Sequence, residues 1–234
     1  MKRKKWIRGI LFFAVFLNVS FCRMTAVNAA EHTEWADAYM KTVKALHKED
    51  TKLKAEYSSE FTPYQAYTYD LIYFDNDDIP ELVAGLDGYW VSMYTFDKND
   101  GKVYQVIDRW GYGVMGNPGY EYLPKKNFLL NYNSDFAGAI RYIFCGKMKN
   151  HKILSRYPKE IKQMNFTDKN HNGVPDEGEE TKQSYYYYGN QKISPEKYGS
   201  FIKSGKYKDL TGRMSYQKMK KALIQNRTSG KKAG

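Results

Sequence analysis

Five side-chain oxygens stand at the spacing that a calcium ion needs. Counting Asp168 as position 1 of a twelve-residue stretch, Asp168, Asn170, Asn172, Asp176 and Glu179 occupy positions 1, 3, 5, 9 and 12, and Gly173 occupies position 6. Calcium takes six to eight hard oxygen donors at ~2.3–2.6 Å. A tight turn aims alternate side chains inward, glycine permits the bend, the backbone carbonyl of Val174 at position 7 adds a ligand, and Glu179 closes the shell with two oxygens. The alternative is a surface turn rich in Asn and Asp that holds no metal.

A second acidic stretch runs Asp75-Asn76-Asp77-Asp78-Ile79-Pro80-Glu81-Leu82. Asp75, Asp77 and Glu81 are its candidate ligands, weighed against a strand–turn–strand corner with solvated carboxylates. Other chemistry is thinly represented. The four histidines, His32, His47, His151 and His171, have no zinc-ligand spacing. Cys145 and His151, six residues apart, are read as a coincidence rather than a dyad, with Cys145 a buried strand residue. Paired carboxylates for glycoside hydrolysis come from distant strands, so naming Glu81 and Asp108 is arbitrary.

The flanks of the Asp168 stretch read as strands, Met164 to Phe166 before it and Tyr185 to Tyr188 after it, not as the two helices of an EF-hand. Its Gly-Val-Pro-Asp-x-x-Glu ending resembles the calcium repeats of bacterial thrombospondin type 3 proteins, and less closely dockerin loops. The resemblance implies calcium ligands at Asp168, Asn170, Asn172, Asp176 and Glu179, with Asn in place of the usual Asp at two positions. The Asp75 stretch resembles the Asp-x-Asp-x-Asp-Gly-x-Pro-Glu-Leu segment of exported proteins from Gram-positive gut bacteria. Here Tyr73 stands where the first Asp belongs and Asp78 replaces Gly. The wider order of an aromatic N-terminal helix, Asp-Ile-Pro-Glu-Leu-Val and a Tyr-rich meander is similar to uncharacterised members of that group.

The chain must place these stretches outside the cytoplasm if its N-terminus is read as it stands. Lys2, Arg3, Lys4, Lys5 and Arg8 precede an apolar run from Ile10 to Leu17, and Val27-Asn28-Ala29 puts small residues at the −3 and −1 positions of a signal peptidase site. The run is well short of the ~20 residues that span a bilayer. Phe21 before Cys22 argues against lipidation. Residues 1–29 are therefore expected to be a cleaved signal peptide, with a secreted or wall-associated product and no transmembrane segment after processing. Of the net charge of +11, six basic residues leave with the signal and no acidic ones do, so the remainder carries +5. That excess gives no ground for nucleic-acid binding. It gathers near the C-terminus at Lys218, Lys220, Lys221, Arg227, Lys231 and Lys232, where it suits an anionic wall polymer or a solvated helix face. With Cys145 the one cysteine left, packing of 22 Tyr, 12 Phe and 4 Trp must hold the fold.

The expected fold class is α+β in one domain over residues 30–227: a helix within 30–60, an antiparallel meander over 67–190, two short helices within 194–226, and a disordered tail at 228–234. Trp35, Tyr39, Val43 and Leu46 share one helical face. Turn signals at Asp77-Asp78, Asp87-Gly88 and Asn99-Asp100-Gly101 divide β-rich runs. Ser194-Pro195-Glu196 reads as an N-cap with Pro at the first helical position, and a last helix starts at Ser215. Two functions remain open. One is a calcium-stabilised binding or adhesion module for a glycan, cell-wall polymer or host surface, with Trp90, Trp110, Tyr112, Tyr120 and Tyr122 as candidates for stacking on sugar rings. The other is a hydrolase.

Overall fold

The computed structural model describes residues 34–57, 64–112, 117, 119–174 and 176–232. The leader at 1–29 and the connector around Pro63 lie outside them. The chain divides into two compact units, one of residues up to Ala66, Phe96–Tyr104 and Met214 onward, the other of Tyr67–Thr95 and Gln105–Arg213.

In the first unit, helix α1 (34–57) buries Trp35, Tyr39 and Val43, the face read from their spacing. Helix α3 (Tyr216–Lys232) buries Met219 and Leu223. The His47 ring stacks on Tyr216 at 3.6 Å. Asp37 pairs with Arg227 at 3.2 Å, and both are so exposed that the pair adds little. The helix runs to Lys232.

Strands make up most of the second unit, although the Phe96–Tyr104 turn of the smaller sheet is counted in the first. A four-stranded sheet has the order β1 (Thr68–Ile72), β2 (Glu81–Leu86), β3 (Trp90–Asp97), β4 (Lys102–Gly111). The other sheet uses β5 (Glu121–Leu123), β6 (Phe128–Asp135), β7 (Ile140–Lys149), β8 (Lys152–Arg156), β9 (Pro158–Phe166), β10 (Glu180–Tyr188), β11 (Gln191–Ile193) and β12 (Lys208–Asp209). Its order is β11-β10-β9-β7-β6-β5-β12, with β8 also paired to β7. Helix α2 (Pro195–Gly199) starts as its sequence indicates, Lys197 N–H donating to Ser194 Oγ at 3.1 Å.

The α+β expectation is therefore wrong. Among the described residues 43% are strand and 24% helix, in two antiparallel sheets with 12 strands and three helices. The C-terminal part is less helical than its N-cap suggests, because α2 ends after five residues. The chain then returns as β12 to pair with β5. Nor is the large sheet one sequential meander. Cys145 faces Arg156 and Tyr142 faces Lys159, a single register across β8 and β9. These are one bent strand, broken where Tyr157 precedes Pro158, which has no N–H to donate.

Side-chain alternation explains the unbroken apolar runs. Leu129 and Phe144 join Ile72, Phe74, Val83, Met93 and Ile107 in one core. Their neighbours Phe128, Leu130, Ile143 and Cys145 point the other way, against Phe201. The middle of the large sheet is thus covered on both faces, so residues 128–130 and 143–145 run apolar without a polar position. Alternation also sorts the four tyrosines of β10. Tyr186 and Tyr188 meet Tyr198 and Phe201 at 4.8 and 5.0 Å. Tyr185 and Tyr187 lie under Lys192 and Lys159.

Candidate metal centre

Both acidic stretches are hairpin connections in the second unit. The Asp75 corner joins β1 to β2, where Ile72 pairs with Glu81. Pairing of Phe166 with Glu180 makes the Asp168 stretch the tip of the β9–β10 hairpin, with strands on both sides as its flanks indicate.

The structure brings one acidic set together. Ligand oxygens of Asp75, Asp77 and Glu81 lie within 4.8 Å of one another, the group of three or more acidic, histidine or cysteine ligands found among the described residues. Calcium–oxygen bonds of ~2.3–2.6 Å allow two ligands on opposite sides of the ion to be about 5 Å apart, so the spread fits a single ion. Glu81 opens β2 and is 1% exposed. Its Oε2 accepts Phe74 N–H at 2.8 Å, and Thr95 Oγ lies 3.4 Å from Oε1. Asp75 Oδ1 accepts Asp77 N–H at 3.1 Å and Asp77 Oδ1 accepts Ile79 N–H at 2.9 Å. These two turns fold the corner so that both carboxylates come to Glu81. Asp78, in the glycine position of the resembled segment, is not among the left-handed residues, so this corner has no need of glycine. Tyr73, in place of the first Asp, lies under Lys125 Nζ at 5.0 Å.

Burial, and then the neighbouring charges of Asp75 and Asp77, push the Glu81 carboxyl up to about 8. A carboxyl whose pKa is higher folded than unfolded holds its proton longer in the folded state. Its stabilising contribution is complete below the unfolded value of 4.5 and is lost as pH rises through about 8. In chelator, the melting temperature of the parent should therefore fall across this window more steeply than that of Glu81→Gln. Parallel thermal-melt profiles of the two proteins from pH 5 to pH 9 would contradict it.

The 168–179 hairpin tip draws its oxygens inward, but around backbone donors. Asp168 accepts the N–H groups of Asn172 and Gly173 at 3.1 and 2.9 Å. Buried Glu179 accepts Lys169 and Asn170 N–H through Oε1 and Asp176 N–H through Oε2. Gly173 takes φ +75 at the bend. The amides of Asn170 and Asn172 both donate to Asp176 Oδ2 at 2.6 Å, so N–H rather than oxygen faces the third carboxylate. A cation here requires both amides to turn over.

The remaining sequence candidates separate. Cys145 is buried, with Sγ 3.8 Å from the Arg156 carbonyl, and burial pushes its thiol up. His151 sits at the far end of the same hairpin, in the Asn150-His151 turn, both residues at positive φ. No dyad forms. Asp108 accepts from Gln105 and is not part of the Glu81 group. Of the aromatic candidates, Tyr122 is core. Trp90 packs against Tyr67 at 5.0 Å, with Arg109 over its ring at 5.1 Å. Trp110 and Tyr112 meet Tyr120 at 5.6 and 6.5 Å. Sequence reasoning passed over Asn131, Asn133 and Tyr157, which share the Trp110 cleft. The available signal was alternation, which puts Asn131 and Asn133 on one face of a strand.

The chain matches no known protein family, no curated protein and no solved structure. No described helix is long and apolar enough to cross a membrane.

Proposed function

We propose that this chain is an exported calcium-binding protein whose metal centre is the Asp75–Asp77–Glu81 corner. The observation that carries the reading is the convergence of three carboxylates within 4.8 Å around a buried glutamate. Such a group repels itself, and a divalent cation relieves the repulsion while replacing the proton on Glu81. The N-terminal pattern of basic, apolar and small residues supports export, to a compartment where millimolar calcium meets sites of ~10⁻⁴–10⁻³ M affinity.

Calcium titration of the chelator-treated protein tests it. Binding to the folded state adds RT ln(1 + [L]/Kd), about 2.7 kcal/mol at 100 times Kd. In a domain of this size that raises the melting temperature by roughly 5–10 °C. Magnesium should do less, because it keeps its waters and demands a tighter octahedron. Equal melting curves with calcium and with chelator would end the reading.

The 168–179 tip is a second reading, favoured by its ligand spacing and by the inward turn of Asp168 and Glu179. Asp168→Ala separates the two. With the metal at the Asp75 corner, that variant keeps the full calcium shift. It loses about 1–2 kcal/mol in chelator as well, since the N–H groups of Asn172 and Gly173 lose their acceptor. Loss of the calcium shift in Asp168→Ala alone would move the metal centre to the hairpin tip.

A further inference from the structure

We propose that the cleft lined by β4, β6 and β7 beside Tyr157 binds a saccharide chain, with Trp110 and Tyr157 as stacking rings and Asn133 as a hydroxyl-binding amide. This inference does not depend on the calcium reading.

The cleft has a volume of about 540 Å³, within the ~300–1,000 Å³ range of ligand sites. One wall is a continuous aromatic cluster. Phe144 meets Trp110 at 5.3 Å, Tyr120 at 5.5 Å and Tyr157 at 5.3 Å. Phe144 is buried beneath them, whereas Tyr157 is 58% exposed. The rest of the lining is Arg109, Gly111, Asn131, Asn133 and Tyr142.

The backbone is shaped to bring Trp110 here. Arg109 has φ +47, in the left-handed region. Its N–H donates to Ser92 Oγ at 2.9 Å. Two buried residues, Val106 and Ile107, are followed by two exposed ones, Asp108 and Arg109, so alternation along β4 is broken just before Trp110. Such interruptions re-aim side chains and occur beside functional sites.

The chemistry of the lining selects among occupants. Asn131 is fully engaged, with Asn117 and the Gly119 carbonyl. Asn133 uses its Oδ1 on Ser134 N–H, and its amide N–H₂ has no partner among the described residues. The Trp110 indole N–H likewise has none. A wholly apolar ligand would strand these donors. A nucleic acid would need a row of cations to meet its phosphates, and the lining supplies Arg109 alone. No carboxylate lines the cleft to hold a cationic ligand. A pyranose answers both halves of the wall, its C–H face against the rings and its hydroxyls to the amide and indole donors.

The test uses the full chain, titrated by calorimetry and by indole fluorescence with soluble oligosaccharides of a β-1,4-glucan, a β-1,4-N-acetylglucosaminide and an α-1,4-galacturonide. At least one should bind. Tyr157→Ala and Asn133→Ala should each weaken that sugar about tenfold or more, with unchanged far-ultraviolet dichroism. Trp110→Phe should remove the ligand-induced fluorescence change. Tyr132→Ala, between the two asparagines in sequence and on the opposite face of β6, should bind as the parent does. The proposal is overturned if no member of the panel binds. It is equally overturned if Tyr157→Ala and Asn133→Ala bind the best sugar with parental affinity.

Discussion

Replacing Asp75 and Asp77 together by Asn should abolish the calcium-dependent rise in melting temperature while leaving the chelator-treated protein as stable as the parent or more so. Each Asn keeps a side-chain oxygen for the turns at Asp77 N–H and Ile79 N–H, so the corner retains its shape. What disappears is charge. With neither neighbour ionised, Glu81 loses the like-charge repulsion that adds to its burial, and the apo fold relaxes. A cation then finds one carboxylate in place of three. The expected loss is the whole calcium contribution, about 2.7 kcal/mol at 100 times Kd. Thermal melts of parent and variant with calcium and with chelator decide the matter. A variant that keeps the parent's calcium shift rules out this corner as the metal centre.

Gly212→Ala should be the most damaging single methyl group in the second unit. A Cβ at Gly212 meets the Thr68 carbonyl carbon and lies 2.5 Å from both the Thr68 oxygen and the Tyr69 nitrogen. These are backbone atoms of β1, which cannot swing aside. The segment is pinned there by Arg213 N–H donating to the Tyr69 carbonyl at 2.9 Å and by the Arg213–Asp70 pair at 2.9 Å. Relief therefore requires β1 or the 210–213 segment to move, and Leu210 and Ile72 are both in the core. The expected cost is about 3 kcal/mol, or roughly 6–12 °C in melting temperature. Gly88→Ala is the comparison. Its φ of +77 is unfavourable to alanine, but nothing lies within 4 Å, so the cost should be about 1 kcal/mol. Denaturant melts that place Gly212→Ala within error of Gly88→Ala would rule out a close approach of residue 212 to β1.

Local features were legible in the residues themselves. The α1 face, the Ser194 cap, the strand flanks of the 168–179 tip and the burial of Cys145 follow from periodicity and from the chemistry of one or two neighbours. These forces act over a few residues, so a few residues report them. The acidic corner was legible as a spacing, because Asp75, Asp77 and Glu81 lie within one connection. The features that favour it over the better-spaced 168–179 stretch were not. Spacing counts oxygens; it does not show that the Asn170 and Asn172 amides turn their N–H groups to Asp176, or that Glu81 is buried while facing two carboxylates.

The fold class and the aromatic cleft belong to tertiary structure. Pairing of β12 with β5, and the single register that β7 imposes on β8 and β9, join residues far apart in the chain. Such pairing is set by which partners bury each other's apolar face, and no local window contains that information. The same holds for Trp110, Asn133 and Tyr157, which three different strand regions bring to one cleft. Composition supplied the aromatic rings; only the packing of the sheets separates Tyr122, sealed in the core, from Tyr157, left at the surface.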